Sequence, residues 1–226
     1  MNPFAILLAI LGIVIQSAFI YVEHRKKYVL SVALKGTASV LFCVIGAIAM
    51  SMASANQSIA KLIVFGLCFG ALGDILLNLR LVFPANGQRI FLMGVVAFLA
   101  GHILYLCAIV PLSQNLPLCI VVGAILAAAL LTWIFKVLTL KPALKVFGVL
   151  YLGAIVLMTT VAIGNVIAAP RAATWLYAAG GVLFTLSDIV LIFNMFGKKQ
   201  KFSMRITNLT LYYLGQLLIA FSLFNI

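Results

Sequence analysis

The sequence predicts an all-α, polytopic membrane protein with eight transmembrane helices, a parallel 4+4 internal repeat and both termini on the non-cytoplasmic side. Three observations predict it. Of 226 residues, 66% are hydrophobic and only 8% are charged, far from the balance of a water-soluble domain. Breaking the chain at its charged and Pro-, Asn-, Gly- or Ser-rich points leaves eight apolar runs of about the 20 residues a helix needs to cross a bilayer. Backbone that must satisfy itself in lipid makes runs of that length helices rather than barrel strands. Finally, the basic residues alternate along the chain. The connections after the first, third, fifth and seventh runs hold twelve of the fifteen Lys and Arg, and the other connections hold only Lys61 and Arg171. That is the positive-inside pattern, and it puts the odd connections in the cytoplasm. The net charge of +12 therefore reports topology and contact with anionic lipid, not a nucleic-acid partner. Residues 1–226 read as a single multi-pass transmembrane domain, expected in a bacterial inner (plasma) membrane.

The runs can be taken in order. The first, 3–22, has no basic leader and no A-x-A-like cleavage site and runs into 23-EHRKK-27, so it is a retained helix and not a signal peptide. The second, 28–50, carries Lys35. The third, 61–80, contains 66-GLCFGALGDILLNLR-80; here Gly66, Gly70 and Gly73 form a small-residue stripe suited to close helix packing. Asp74 follows the stripe, with Asn78 one turn on and so on the same face. The fourth, 90–110, holds 101-GH-102, and the fifth, 116–135, is apolar throughout. The sixth, 146–164, contributes Tyr151; the seventh, 173–196, holds 186-LSDI-189; the eighth, 205–225, holds Tyr212, Tyr213 and Gln216. Cys43, Cys68, Cys107 and Cys119 are isolated and form no C-x-x-C or Cys/His cluster, so they read as small buried hydrophobes. With His102 the one histidine inside a span, no metal site and no cofactor is expected.

Asp74 to His102 is 28 residues and Asp188 to Gln216 is 28. An offset of 114 relates them and also pairs Gly66 with Gly180 and Phe98 with Tyr212. Four spans per 114 residues give halves, about 1–112 and 113–226, of the same orientation. At about 1.5 Å of rise per residue from the flanking cytoplasmic charges, Asp74, Lys35, Asp188, Gln216 and His102 lie about 9, 12, 15, 16 and 20 Å deep. With Tyr151, Tyr212 and Tyr213 in the same slab, six of the eight spans aim polar groups at one layer, as around a water-filled pocket within a bundle. Intramembrane acids are costly and mark function by default. The structural alternative is that Asp74 and Asp188 serve only to neutralise Lys35.

The segments 73-GDILL-77, 94-GVVAFLAGHILY-105, 180-GGVLFTLSDIVL-191 and 212-YYLGQLLI-219, in this order and spacing, resemble the YhhN-like lysoplasmalogenase family of membrane hydrolases. The likeness runs from about Lys35 to the C-terminus, with Gly36 standing where the family commonly has proline. The resemblance implies that Asp74 and Asp188 are catalytic and that Lys35, His102, Tyr212, Tyr213 and Gln216 line the substrate site; Asn78, on the face of Asp74, and Tyr151, in the same layer, read as further lining of that pocket. It also implies a lysophospholipid substrate and water: cleavage of the vinyl ether of a lysoplasmalogen to a fatty aldehyde and a glycerophospho-head group. The residues suit that chemistry. Vinyl ethers resist base and hydrolyse by protonation of the carbon β to oxygen, through an oxocarbenium ion comparable to that of glycosidases. Two aspartates in one pocket can share the single proton required. Two rival expectations are a proton-coupled or lipid transporter, since parallel repeats and buried acids also describe carriers, and a non-catalytic lipid-binding protein.

Overall fold

The computed structural model describes residues 2–53 and 56–226. Among these residues the chain is all helical: α1 Pro3–His24, α2 Tyr28–Met52, α3 Gln57–Val82, α4 Gly87–Ile109, α5 Leu116–Val137, α6 Pro142–Ala168, α7 Ala172–Phe196 and α8 Phe202–Ser222, with short 3₁₀ turns after α3, α4 and α8. Eight helices are long and apolar enough to cross a membrane. Several extend past the apolar runs, most visibly α3, which starts at Gln57, and α6, which starts at Pro142. Hydropathy marks the lipid-compatible part of a helix. Lys, Gln and Arg are good helix formers and carry the backbone ladder on into the headgroup layer.

Local chemistry sets the ends. Pro falls in the first turn of α1, α5 and α6, where its missing N–H would have no partner anyway. Asn2 caps α1, its side chain accepting from Phe4 N at 2.9 Å. Thr174 Oγ1 receives the N–H of Arg171 at 3.0 Å at the start of α7. The α1–α2 turn is a Schellman closure, in which Lys26 N donates to Glu23 O at 2.8 Å and Lys27 N to Val22 O at 3.2 Å. It places Lys26 at φ 59°, a left-handed conformation that costs a residue with a Cβ.

Two compact units emerge, Met1–Tyr105 together with Ile226, and Leu106–Asn225. In the first, α1 packs on α2 and α2 on α3, and α4 meets α3 along the glycine stripe. A Cβ on Gly73 would meet the ring of Phe98 at 2.6 Å, and one on Gly101 would meet Gly66 O at 3.0 Å and Gly70 N at 3.7 Å. In the second, consecutive helices pack from α5 through α8. Leu131, Ile134, Leu138 and Leu152 form a core between α5 and α6, with Ile192, Phe193 and Phe196 of α7 against it. The α7–α8 crossing is again a glycine contact: a Cβ on Gly180 would lie 2.7 Å from Gly215 O, and one on Gly215 2.9 Å from Gly180 O. Without side chains between them, the two backbones come within van der Waals reach.

The cysteines correct one expectation. Cys119 is buried, but Cys68 and Cys107 are exposed on their helices. A thiol is apolar enough to face acyl chains, so isolation in a span does not imply burial.

Candidate active site

In the first unit, three helices assemble a polar cluster around Asp74. The carboxylate lies on α3 directly after the glycine stripe, and one oxygen is 3.3 Å from Lys35 Nζ of α2. The other accepts from Ser39 Oγ, one turn beyond Lys35, at 2.5 Å. Lys35 Nζ also donates to Gln16 Oε1 of α1 at 3.4 Å and sits 5.4 Å above the Phe19 ring. Lys35 is 1% exposed and Asp74 5%. An ammonium and a carboxylate buried together are tolerable only with such pairing, because each alone in a low dielectric is strongly unfavourable. Asn78, one turn after Asp74, donates to Glu23 Oε2 at 3.2 Å. Two of the chain's three acidic residues are therefore on this cluster. His102 of α4 is also buried, and its Nδ1 lies 2.5 Å from Phe98 O. Since a carbonyl can only accept, Nδ1 carries the hydrogen, and the ring stands edge-on to Tyr105 with centroids 6.3 Å apart.

The second unit holds the other aspartate. Asp188 of α7 is 4% exposed and accepts from Tyr151 Oη of α6 at 2.8 Å. The residue before it, Ser187, is locked to α8 by a reciprocal pair: Ser187 Oγ donates to Asn208 O at 3.0 Å, and Asn208 Nδ2 donates to Ser187 O at 3.0 Å and to Ser187 Oγ at 2.8 Å. This fixes the register of α7 against α8 and with it the direction of Asp188. Further along α8, Gln216 Nε2 donates to Tyr212 Oη at 3.4 Å. Tyr212 packs edge-on against Phe184 at 5.2 Å, and Tyr213 is buried.

The structure therefore brings Lys35 to Asp74, Tyr151 to Asp188 and Tyr212 to Gln216, and it directs Asn78 to Glu23 and His102 to its own helix. Sequence reading missed Gln16, Ser39 and Glu23 at the first aspartate, and Asn208 with Ser187 at the second. A signal existed for the first group. Gln16, Phe19 and Glu23 recur at the i, i+3, i+7 spacing of one helix face, and Ser39 is one turn from Lys35. Among the described residues no group of three His, Cys, Asp or Glu is gathered as a metal site would require. Asp74 is matched to a cation and a hydroxyl, whereas Asp188 receives a neutral phenol.

Comparison with known proteins adds three findings. Lysoplasmalogenase TMEM86B of Sus scrofa is 36% identical over 134 residues, which cover 58% of this chain and 53% of that protein. The aligned chain thus spans about half the length of this curated relative. No solved structure matches. The model of the YhhN family matches residues 30–223, from the second helix almost to the C-terminus, and the chain accordingly belongs to the YhhN family.

Proposed function

We propose that the protein is a membrane-embedded hydrolase that cleaves the vinyl ether bond of lysoplasmalogens by acid catalysis with two intramembrane aspartates, Asp74 and Asp188. The observation that supports this reading is the burial of two intramembrane aspartates, Asp74 paired with the Lys35 ammonium and Asp188 accepting from the Tyr151 phenol. The name of the Sus scrofa relative, a lysoplasmalogenase, supports the reaction class. In this scheme Asp188 carries the proton, with Tyr151 donating to its second oxygen. It protonates the alkenyl carbon β to the ether oxygen. The resulting oxocarbenium ion is stabilised by the carboxylate of Asp74, which Lys35 and Ser39 hold in place, and water adds to the cationic carbon while Asp74 takes its proton. The product is a hemiacetal. Its O–H returns a proton to Asp188 as the carbon–oxygen bond breaks, and the departing glycerol oxygen takes the proton from Asp74. Aldehyde and glycerophospho-alcohol leave, one water is consumed, and both carboxyls regain their starting state.

Asn78, His102, Tyr212, Tyr213 and Gln216 are assigned to lining the substrate's path. The basic odd connections would face the phosphate from the cytoplasmic side, in a multi-pass protein of a bacterial inner membrane. The parallel repeat belongs to the same proposal, and the α3–α4 and α7–α8 glycine crossings support it: Gly66 and Gly101 are each 114 residues from Gly180 and Gly215. The deciding experiment incubates purified protein with a panel of vinyl ether, alkyl ether and acyl lysolipids and measures products by mass. Release of a fatty aldehyde from the vinyl ether lipids alone supports the hydrolase. No aldehyde from any of them, with lipid movement between vesicles instead, would favour a transporter.

A further inference from the structure

The first helix precedes the segment that the family model matches, yet its inner face is built into the Asp74 cluster. Gln16 accepts from Lys35, Phe19 lies under the same ammonium, and Glu23 receives Asn78. Gln16 is 4% exposed. Its orientation is chemically determined, because an ammonium has only donors, and the amide atom turned to Lys35 must be Oε1. The amide nitrogen is thereby turned away from Lys35, and Nε2 is buried without a hydrogen-bond partner among the described residues. An unmet buried N–H is unfavourable, because it forgoes the hydrogen bond it had to water. A side chain needed only to hold Lys35 could do so without such a donor.

We propose that Gln16 is a ligand-contacting residue of this site, whose Oε1 positions Lys35 against Asp74 and whose Nε2 donates a hydrogen bond to an oxygen of the bound lysolipid. This rests on the lysolipid reading above. The chemistry recognised is a neutral oxygen acceptor, supplied either by the free hydroxyl of the lipid's glycerol or by a water that bridges to another oxygen of the lipid. The Lys35 ammonium, engaged by Asp74 and Gln16, serves the carboxylate, and the amide serves the ligand. The first helix thus contributes to the substrate site.

The test uses the full chain, purified in detergent, with three probes: a vinyl ether lysolipid for turnover, the matching saturated 1-O-alkyl lysolipid for binding, and a 2-deoxy form of that alkyl lipid. Gln16→Glu keeps the acceptor for Lys35 and removes the donor, while Gln16→Met removes both. Both variants are expected to bind the alkyl lysolipid about 3- to 10-fold more weakly than wild type, the range of one neutral hydrogen bond. For the vinyl ether lysolipid the loss should fall mainly on KM. If the variants lose nothing on the 2-deoxy lipid, the hydroxyl is the partner; an equal loss on both lipids identifies the bridging water. Wild-type affinity in Gln16→Met, whatever Gln16→Glu does, overturns the proposal. So does weak binding that appears only in Gln16→Met, since that isolates the contact with Lys35. Should the Met variant not fold, Gln16→Asn, which withdraws both polar atoms by one methylene, is read in its place. Failure of the hydrolase reading shows separately, as absence of aldehyde from the wild type, while binding of the alkyl lipid still reports on Gln16.

Discussion

Removing the charge of Asp74 should cost both activity and stability, and a double-mutant cycle with Lys35 can separate the two. At 3.3 Å, the Coulomb attraction between these groups is about 5 kcal/mol at an effective dielectric of ~20. Asp74→Asn preserves volume and an acceptor for Ser39 but leaves the ammonium buried without its counter-ion, and breaking a buried pair in this way typically costs about 3 to 5 kcal/mol. For a chain of this size that corresponds to a fall in Tm of roughly 6 to 20 °C. Lys35→Met should be comparably destabilised, because it strands the carboxylate. The double variant, with neither charge, should recover most of the loss, since replacing both members of a buried pair is often neutral. Turnover should behave differently. If the carboxylate stabilises the oxocarbenium ion, Asp74→Asn and the double variant should both fall by at least 10²-fold, the lower end of what such groups contribute. The assay is aldehyde release and thermal melting on the same four preparations. A double variant that regains both stability and turnover would refute the reasoning and leave Asp74 as a structural partner of Lys35.

Four further outcomes are expected. Asp188→Asn, which keeps the side-chain volume and an acceptor for Tyr151 Oη, should lose 10²- to 10⁴-fold in turnover with little change in melting; a large melting loss with turnover intact would reverse the assignment. Gly180→Ala, placing a Cβ 2.7 Å from Gly215 O, should destabilise by about 1 to 3 kcal/mol, whereas Gly153→Ala, with nothing within 4 Å of the new Cβ, should be neutral or stabilising, as read by melting in detergent. Lys26→Gly relieves a left-handed residue at φ 59° and should raise stability by roughly 1 kcal/mol. A reporter fused to the C-terminus should register the non-cytoplasmic side, and a cytoplasmic signal would invert the proposed topology.

The helices were legible because lipid imposes a simple rule: a span needs length and apolarity, and both can be counted. The aspartates, Lys35 and His102 were legible for the complementary reason that polar groups are conspicuous against a background of Leu, Ile and Val. Their partners were less so. Ser39 and Ser187 are small hydroxyls that could as readily have bonded to their own helix, as Thr37 does to Ala33 O at 2.9 Å. A serine becomes informative only once the neighbouring helix is in place. Gln16 is inconspicuous because it lies within a run whose mean hydropathy is high. The two aspartates looked equivalent in sequence because their flanks, 72-LGDI-75 and 186-LSDI-189, nearly repeat. Their partners come from other helices, an ammonium on α2 at Asp74 and a phenol on α6 at Asp188, and no local pattern could reveal them.

The ion pair between α2 and α3 also bears on how the chain is made. Synthesis delivers Lys35 to the membrane before Asp74, and either charge alone within a span raises the free energy of insertion, by about 2.5 to 3.5 kcal/mol at the bilayer centre and less toward the interface. Only residues 53–56 lie between the two helices, so entry as a helical pair would let each charge arrive with its counter-ion and remove most of that barrier. Met at position 35 would then show its fault first as poor accumulation in the membrane, ahead of any defect in purified protein. Adding Asn at position 74 would restore the yield before it restored anything else.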